Sequence, residues 1–444
     1  MLSPKRESWL VWGWGVLFVL PLIALGYNTH QHEFVKILGY FAFSFCAYFI
    51  LLRRNWGLDS IGTFVSIAII ARLALLFAFP ALSDDIYRFI WDGHIWLAGE
   101  NPFDHLPGYW LTAGDLPGLN QALYDQLNSP EYYTIYPPVC QLIFTAGVFF
   151  SPDAWWGAAL IMKLFLVGFE IGTIYLLLDL LGRLQLPRRH ALLYALNPLV
   201  IIEISGNLHF EGAMVFFLLL GIRWIMMKRE ALGAVAIALS IASKLLPLML
   251  LPLLIGWLGW KRAIKIFAIV GVILILLFLP LFSPAFINNF GESLELYFQK
   301  FEFNASIYYL VKFIGQAIVG YNPIEYIGPA LALVTVLLIL GLAIKLPKKD
   351  TQLFLQYSAT VICIHLLLST TIHPWYLILP MALFAFTSLR FVYLWSFLIC
   401  LTYMNYSFEP YQEQSWWVVI EYLLILGMLI WEISRGRLTT NPKV

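Results

Sequence analysis

Long apolar runs govern what this chain can become. Nine stretches of about twenty mostly apolar residues lie at 9–26, 34–52, 61–79, 155–182, 208–227, 263–283, 326–345, 353–371 and 415–433. That length of helix crosses the hydrocarbon core of a bilayer. Shorter apolar runs fall at 190–204, 231–243, 245–258, 374–388 and 391–406. The expectation is an all-α fold, a polytopic transmembrane helical bundle of about 12–14 spans. The composition agrees, being 61% hydrophobic and 12% charged with a mean hydropathy of +0.80, where soluble domains carry about 25% charged residues. A soluble or disordered chain is excluded, and so is a nucleic-acid binder. The 27 Lys and Arg against 26 Asp and Glu leave +1 and no basic surface. Cys46, Cys140, Cys363 and Cys400 sit in apolar runs without metal or redox spacing and are expected to be small core residues.

The first run is too long for a signal peptide and has no small-residue cleavage site, so it is read as a retained span. Orientation follows from the excess of Lys and Arg on cytoplasmic loops. Lys5/Arg6, Arg53/Arg54, Arg183/Arg188/Arg189, Lys228/Arg229, Lys261/Arg262/Lys265, Lys345/Lys348/Lys349, Arg390 and Arg435/Arg437/Lys443 share one side if all fourteen runs cross. Those are nineteen of the 27 basic residues. The agreement requires that 136–150 and 306–320 lie along the outer interface rather than crossing, and it places both termini in the cytoplasm. No fixed-period repeat or low-complexity tract appears, so a single membrane domain over 1–444 is expected.

The runs 231–243 and 245–258 are each only about 20 Å long as helices, and they meet at Ser243-Lys244. Two readings stand: a broken hairpin lining an enclosed or watery cavity, or one long tilted helix with Lys244 near its middle. Either puts an ionisable residue at membrane depth, which points to function.

The longest polar stretch, 80–135, opens the large outer loop expected over 80–150. It carries Asp84, Asp85, Asp92, Glu100, Asp104, Asp115, Asp125 and Glu131 against one basic residue, Arg88. A loop of that length usually has a task. If Ser83 caps a helix, Asp84 and Asp85 lie in its first turn, favoured by the macrodipole. Arg88 then falls on the same face, with Asp92 one turn beyond. Paired acids beside one Arg suit general-base work, because each carboxylate raises the other's proton affinity. The plainer reading is that Ser-Asp-Asp only caps the helix.

Other outer turns carry Asn207, His209 and Glu211 in Glu203-Ile-Ser-Gly-Asn207-Leu-His209-Phe-Glu211, and His373, Trp375 and Tyr376 in Ser369-Thr-Thr-Ile-His373-Pro-Trp375-Tyr376. By topology, these turns, the acidic pair and Lys244 converge on one membrane face. Lys244 and His373, with Arg88, suit an anionic phosphate and the charge developing on a leaving phosphate. Trp91, Trp96, Trp375, Tyr136 and Tyr376 suit sugar faces or a polyprenyl chain. The plainer alternative for each is an aromatic belt at the interface.

The stretches SDDIYRFIWDGHIWLAGENPF at 83–103, TIYPP at 134–138, LNPLVIIEISGNLHFEG at 196–212, SKLLPLMLLP at 243–252 and STTIHPWYLILP at 369–380 resemble the GT-C superfamily of glycosyltransferases. They are most similar to the bacterial polyprenol-phosphate-mannose-dependent mannosyltransferases. The resemblance implies a helical bundle whose first large outer loop carries an acidic pair. It also implies inverting transfer of a hexose, expected to be mannose, from a polyprenyl-phosphate donor to a lipid or glycan acceptor. The family's catalytic base matches Asp84 or Asp85, with Asp84 preferred. Asn207, His209, Glu211, Tyr136, Trp91, Trp375 and Tyr376 would contact sugar or acceptor. No cofactor is firmly implied, and a divalent metal is left open. The expected place is the bacterial inner membrane, the site facing the periplasm and the partners being the lipid donor, the acceptor and membrane lipids. Two competing readings are a polyprenyl-lipid or sugar transporter or flippase and a non-catalytic assembly subunit. Against the transporter, no inverted repeat relates two halves of the chain.

Overall fold

The computed structural model describes residues 4–53, 61–113, 116–299, 301–408, 413 and 415–437. Arg54, Asp115 and Lys443, counted above, lie outside the described residues. Among these residues all regular secondary structure is helical, the extended pairing being an isolated bridge between Phe303 and Thr371. Seven helices are long and apolar enough to cross a bilayer: Ser8–Tyr27, Phe34–Arg53, Trp155–Arg183, Trp260–Leu281, Ile324–Lys345, Thr351–Leu368 and Trp416–Ser434. Pro198–Gly206 and Glu211–Met226 form a candidate broken span, and further apolar helices are shorter. The chain is a polytopic helical membrane protein.

Two of the nine long runs give helices shorter than a bilayer. The 61–79 run is helical over Ile61–Ala74 and then turns towards Pro80. The 208–227 run becomes helical only at Glu211, because Leu208 takes a left-handed φ of 66° that no helix accommodates.

The chain forms two compact units. The first comprises Met1–Ser83, Leu166–Gly212 and His373–Val444. There the Pro4–Tyr27 helix packs on Phe34–Arg53 and Ile61–Ala74. A fully buried ion pair ties Ile61–Ala74 to Trp155–Arg183: Arg72 Nη2 lies 2.8 Å from Glu170 Oε2. Arg72 Nη1 also donates to the carbonyls of Ala68 and Ala195, and Tyr194 Oη donates to Glu170 Oε1 at 2.7 Å. Charges inside a membrane protein persist where they are paired and hydrogen-bonded in this way. Downstream, Asn197 caps Pro198–Val200 by accepting from Leu199 and Val200, and it donates to Ser396 Oγ at 2.8 Å. The 391–406 run is α-helical over Phe391–Leu398 and tightens to a 3₁₀ helix over Ile399–Ser407.

The second unit comprises Asp84–Phe165 and Ala213–Ile372. Its Asp85–Leu97 helix lies against Pro138–Phe150. The approach is so close that a Cβ on Gly93 would stand 2.7 Å from the Phe144 carbonyl oxygen, so only glycine fits. Glu230–Ile241 packs on Trp260–Phe278, and Leu251–Leu258 on Ile324–Lys345 and Thr351–Leu368. Of the two readings of 231–258, the break is observed. The α-helix ends at Ile241, and the chain resumes as a 3₁₀ turn, Leu246–Leu250. Ile307–Val319 is one exposed apolar helix of 13 residues that stops at left-handed Gly320, too short to cross. Three cysteines are buried as expected, but Cys46 lies on the exposed side of its helix.

Candidate active site

In the second unit, the cap position falls one residue later than the Ser83 expected from the sequence. The N-cap of Asp85–Leu97 is Asp84, and its side chain makes no capping hydrogen bond. The plainer reading of the acidic pair, that it exists to cap a helix, therefore fails for Asp84. Its carboxylate reaches the protein surface. Even so, the protein packed around it and the charge of Asp85 raise its proton affinity above the ordinary carboxylate range. Asp85 is engaged differently, accepting from Asn128 Nδ2 at 3.0 Å. Like charges in adjacent positions, one hydrogen-bonded and one not, separate the two carboxyls chemically.

Arg88 turns away from the acidic pair. Its Nε donates to Asp92 Oδ1 at 2.9 Å, and Nη1 donates to the Tyr132 carbonyl at 3.0 Å. Asp92 is wholly buried and accepts in addition from Thr134 Oγ1 and, at 3.0 Å, from Gln141 Nε2. The cluster clasps the loop that precedes Pro138–Phe150 onto two helices. Trp91 is likewise enclosed, packing on Tyr124 at 5.8 Å, while Trp96 is half-buried.

Pro137-Pro138 explains how Lys244 is placed. The first N–H groups of a helix lack intrahelical partners, and Pro138 at the first position has no N–H. The next N–H, of Val139, donates to the Ala242 carbonyl at 3.0 Å, and Cys140 Sγ donates to that of Ser243 at 3.0 Å. The break beside Lys244 is thereby fastened to the start of Pro138–Phe150. The Lys244 ammonium stands over the Tyr136 ring, 5.5 Å from its centroid. Tyr136 in turn meets Phe89 edge-on at 4.9 Å, and Phe89 lies one helical turn after Asp85, on the same face.

In the first unit, Asn207, His209 and Glu211 are all buried. Ile201–Gly206 is a π-helix, a rare geometry that often marks functional positions. It projects Glu203 so that Oε1 accepts from Tyr403 Oη at 2.6 Å and Oε2 accepts from Asn207 Nδ2 at 3.2 Å. His209 Nε2 lies 3.2 Å from the same Oε2. Asn207 Oδ1 accepts from the backbone N–H of Leu82 at 3.3 Å. The His209 ring stacks on Trp375 with centroids 3.8 Å apart and planes 17° apart. His373 stacks on Trp375 at 4.5 Å and 5°, and Tyr376 meets His373 edge-on.

The structure thus joins Lys244 with Tyr136, and His209 with Trp375, His373 and Tyr376. Arg88 it joins to Asp92. Sequence reading placed Asp92 one turn beyond Arg88 but missed the parts played by Thr134, Gln141, Glu203 and Tyr403. Of these four only Glu203, an acid in an apolar run, carried a signal.

The apolar helices define a polytopic membrane protein, in which one unit holds an ammonium over an aromatic face and the other a stack of imidazole and indole rings. The comparison with known families makes this specific. Residues 10–261 match the family described as alpha-(1->6)-mannopyranosyltransferase, N-terminal domain. The match spans more than half the chain, which belongs to this MptA/B family and is a mannosyltransferase. It takes in Asp84, His209 and Lys244, and ends before His373. No curated protein matches the sequence.

Proposed function

We propose that this mannosyltransferase moves mannose from a polyprenyl-phosphate donor to a hydroxyl of a lipid or glycan acceptor, at the outer face of a bacterial inner membrane. Asp84 is the base. It takes the proton of the acceptor hydroxyl as that oxygen attacks the anomeric carbon. The bond from this carbon to the phosphate oxygen breaks, and polyprenyl phosphate leaves. Inversion at one displacement links the product's configuration to the donor's, so an α-(1→6) product requires a β-linked donor. Lys244 and His373 are assigned to the phosphate, where fixed positive charge meets the charge that develops on departure. Contact with sugar or acceptor is assigned to Asn207, His209, Glu211, Tyr136, Trp375 and Tyr376. Arg88 and Trp91, held within the second unit, serve to fix the outer loop rather than to touch substrate.

The observation that carries this reading is Asp84, an acid at a helix N-terminus that performs no capping. The lipid-linked donor is supported by the apolar spans. The outer-face orientation is supported by the basic residues gathered on the opposite side. The test supplies purified protein with radiolabelled polyprenyl-phosphate β-mannose or nucleotide-linked mannose, plus a mannoside acceptor. Label should pass from the lipid donor only, into a product cleaved by α-mannosidase. Transfer from the nucleotide sugar alone would overturn the assignment.

A further inference from the structure

Buried carboxylates with three polar partners are expensive to place in a membrane protein, and Glu203 is one of them. It is wholly buried, and Asn207, His209 and Tyr403 around it are 2%, 2% and 1% exposed. Burying a charge costs free energy unless partners satisfy it. Tyr403, from a segment 200 residues away, supplies one partner. The other two come from the turn directly after the π-helix. That turn is itself strained, because Leu208 is held at φ 66°. A bulky residue in that region is strained and persists only where its surroundings impose it.

The strain has a visible consequence. With Leu208 left-handed, the His209 N–H returns to the Glu203 carbonyl at 3.0 Å, and the imidazole reaches the carboxylate of the same residue. His209 is then pinned to Glu203 through its backbone, its Nε2 stands 3.2 Å from that residue's carboxylate, and its ring face lies flat against Trp375. Trp375 lies between His209 and His373 in one stack. His209 is buried, whereas Trp375, His373 and Tyr376 are half-exposed. The stack therefore has a fixed inner end and an open outer one.

We propose that Glu203 is a positioning residue for substrate recognition. By holding His209 against Trp375, it keeps the Trp375–His373 stack as a rigid aromatic wall for the hexose ring. The role rests on the reading of the protein as a polyprenyl-phosphate mannosyltransferase, and Glu203 itself touches no reacting atom. A wall ordered beforehand costs less to organise on binding. Loss of its anchor therefore weakens donor binding more than it slows the chemical step.

Glu203→Gln keeps the volume and removes the charge. The expected result is a rise of about tenfold in KM for polyprenyl-phosphate mannose, kcat staying within about twofold. Tyr403→Phe, a milder removal of one partner, should move KM the same way by less. In the Trp375→Phe background, Glu203→Gln should add nothing further, because the two act as a unit. A second measurement needs no substrate. Trp375 emission, taken as the difference between the parent and Trp375→Phe proteins, is quenched by the apposed imidazole, and Glu203→Gln should release that quench. Unchanged KM with unchanged Trp375 emission overturns the proposal, as does a kcat loss at constant KM. A parent protein inert towards the lipid donor, whose Trp375 signal still responds to Glu203→Gln, would overturn the donor assignment and support the positioning role.

Discussion

Lys244 stands over the ring of Tyr136, its ammonium 5.5 Å from the centroid. This pairing gives a cation at a break in the apolar chain a fixed place. The attraction of an ammonium for an aromatic face is about 0.5–2 kcal/mol, enough to orient the side chain without neutralising its charge. Both residues are half-buried. Lys244→Met should lower kcat/KM for the lipid donor by about 10²–10³-fold, the scale of losing one preorganised charge-stabilising group. Tyr136→Phe, which keeps the ring face, should cost far less. Steady-state transfer assays on both variants check this, and equal losses would count against the phosphate role.

The acidic pair makes a prediction about pH. Burial, and next the charge of Asp85, raise the proton affinity of Asp84. Its stabilising contribution is therefore full below the unfolded carboxyl value of about 3.9 and is lost as pH rises through the higher folded value. Asp84→Asn should thus melt at the same temperature as the parent in acid and at a higher one at neutral pH. Activity runs the opposite way, since only the ionised base accepts a proton, and transfer should rise across that same window. Thermal unfolding and transfer rates between acid and neutral pH test both signs.

The Arg72–Glu170 pair predicts stability rather than activity. Removing one partner leaves a buried charge, at a cost of about 3–5 kcal/mol, whereas apolar replacement of both is often close to neutral. Arg72→Met should lower the unfolding temperature in detergent markedly, and Arg72→Met with Glu170→Met should restore most of it. Additive losses in the double variant would contradict this account of the pair.

Gly118 packs directly against His94. Its φ is +86°, and a Cβ there would lie 2.1 Å from the His94 ring. His94 is buried, and burial lowers its proton affinity although Asp153 opposes this. Gly118→Ala meets both a steric clash and a backbone region hostile to side chains. It should cost about 1–3 kcal/mol, read as a lower unfolding temperature, and Gly99→Ala, at a similar φ with open space around it, should cost less.

Much of the helical path was legible because membrane thickness sets a length that any reader can measure against a sequence. The break at Ser243-Lys244 was legible for the same reason, since neither flanking run is long enough alone. The acidic pair was visible as charge beside an apolar run, but the fate of Arg88 was not. Its choice of Asp92 over Asp84 depends on Thr134 and Gln141, which arrive from a later loop and the helix that follows it. The N-cap fell at Asp84 and not at Ser83, a shift of one residue that capping preference alone does not resolve. Glu203 was visible as an acid among isoleucines, but its purpose was hidden. It requires a π-helix, a left-handed leucine and a tyrosine 200 positions away, none of which leaves a periodic trace. The aromatic stack was half legible: Trp375 and His373 are neighbours in sequence, whereas His209 joins them only through the fold.

The central claim is that Asp84 removes the acceptor proton, and the most direct measurement is the single-turnover rate of mannose transfer by Asp84→Asn protein preloaded with lipid donor. The account predicts a rate lowered about 10²–10⁴-fold, the usual contribution of a positioned base, with donor binding retained. A rate near that of the parent would contradict it, and a parallel loss confined to Asp85→Asn would move the base by one residue.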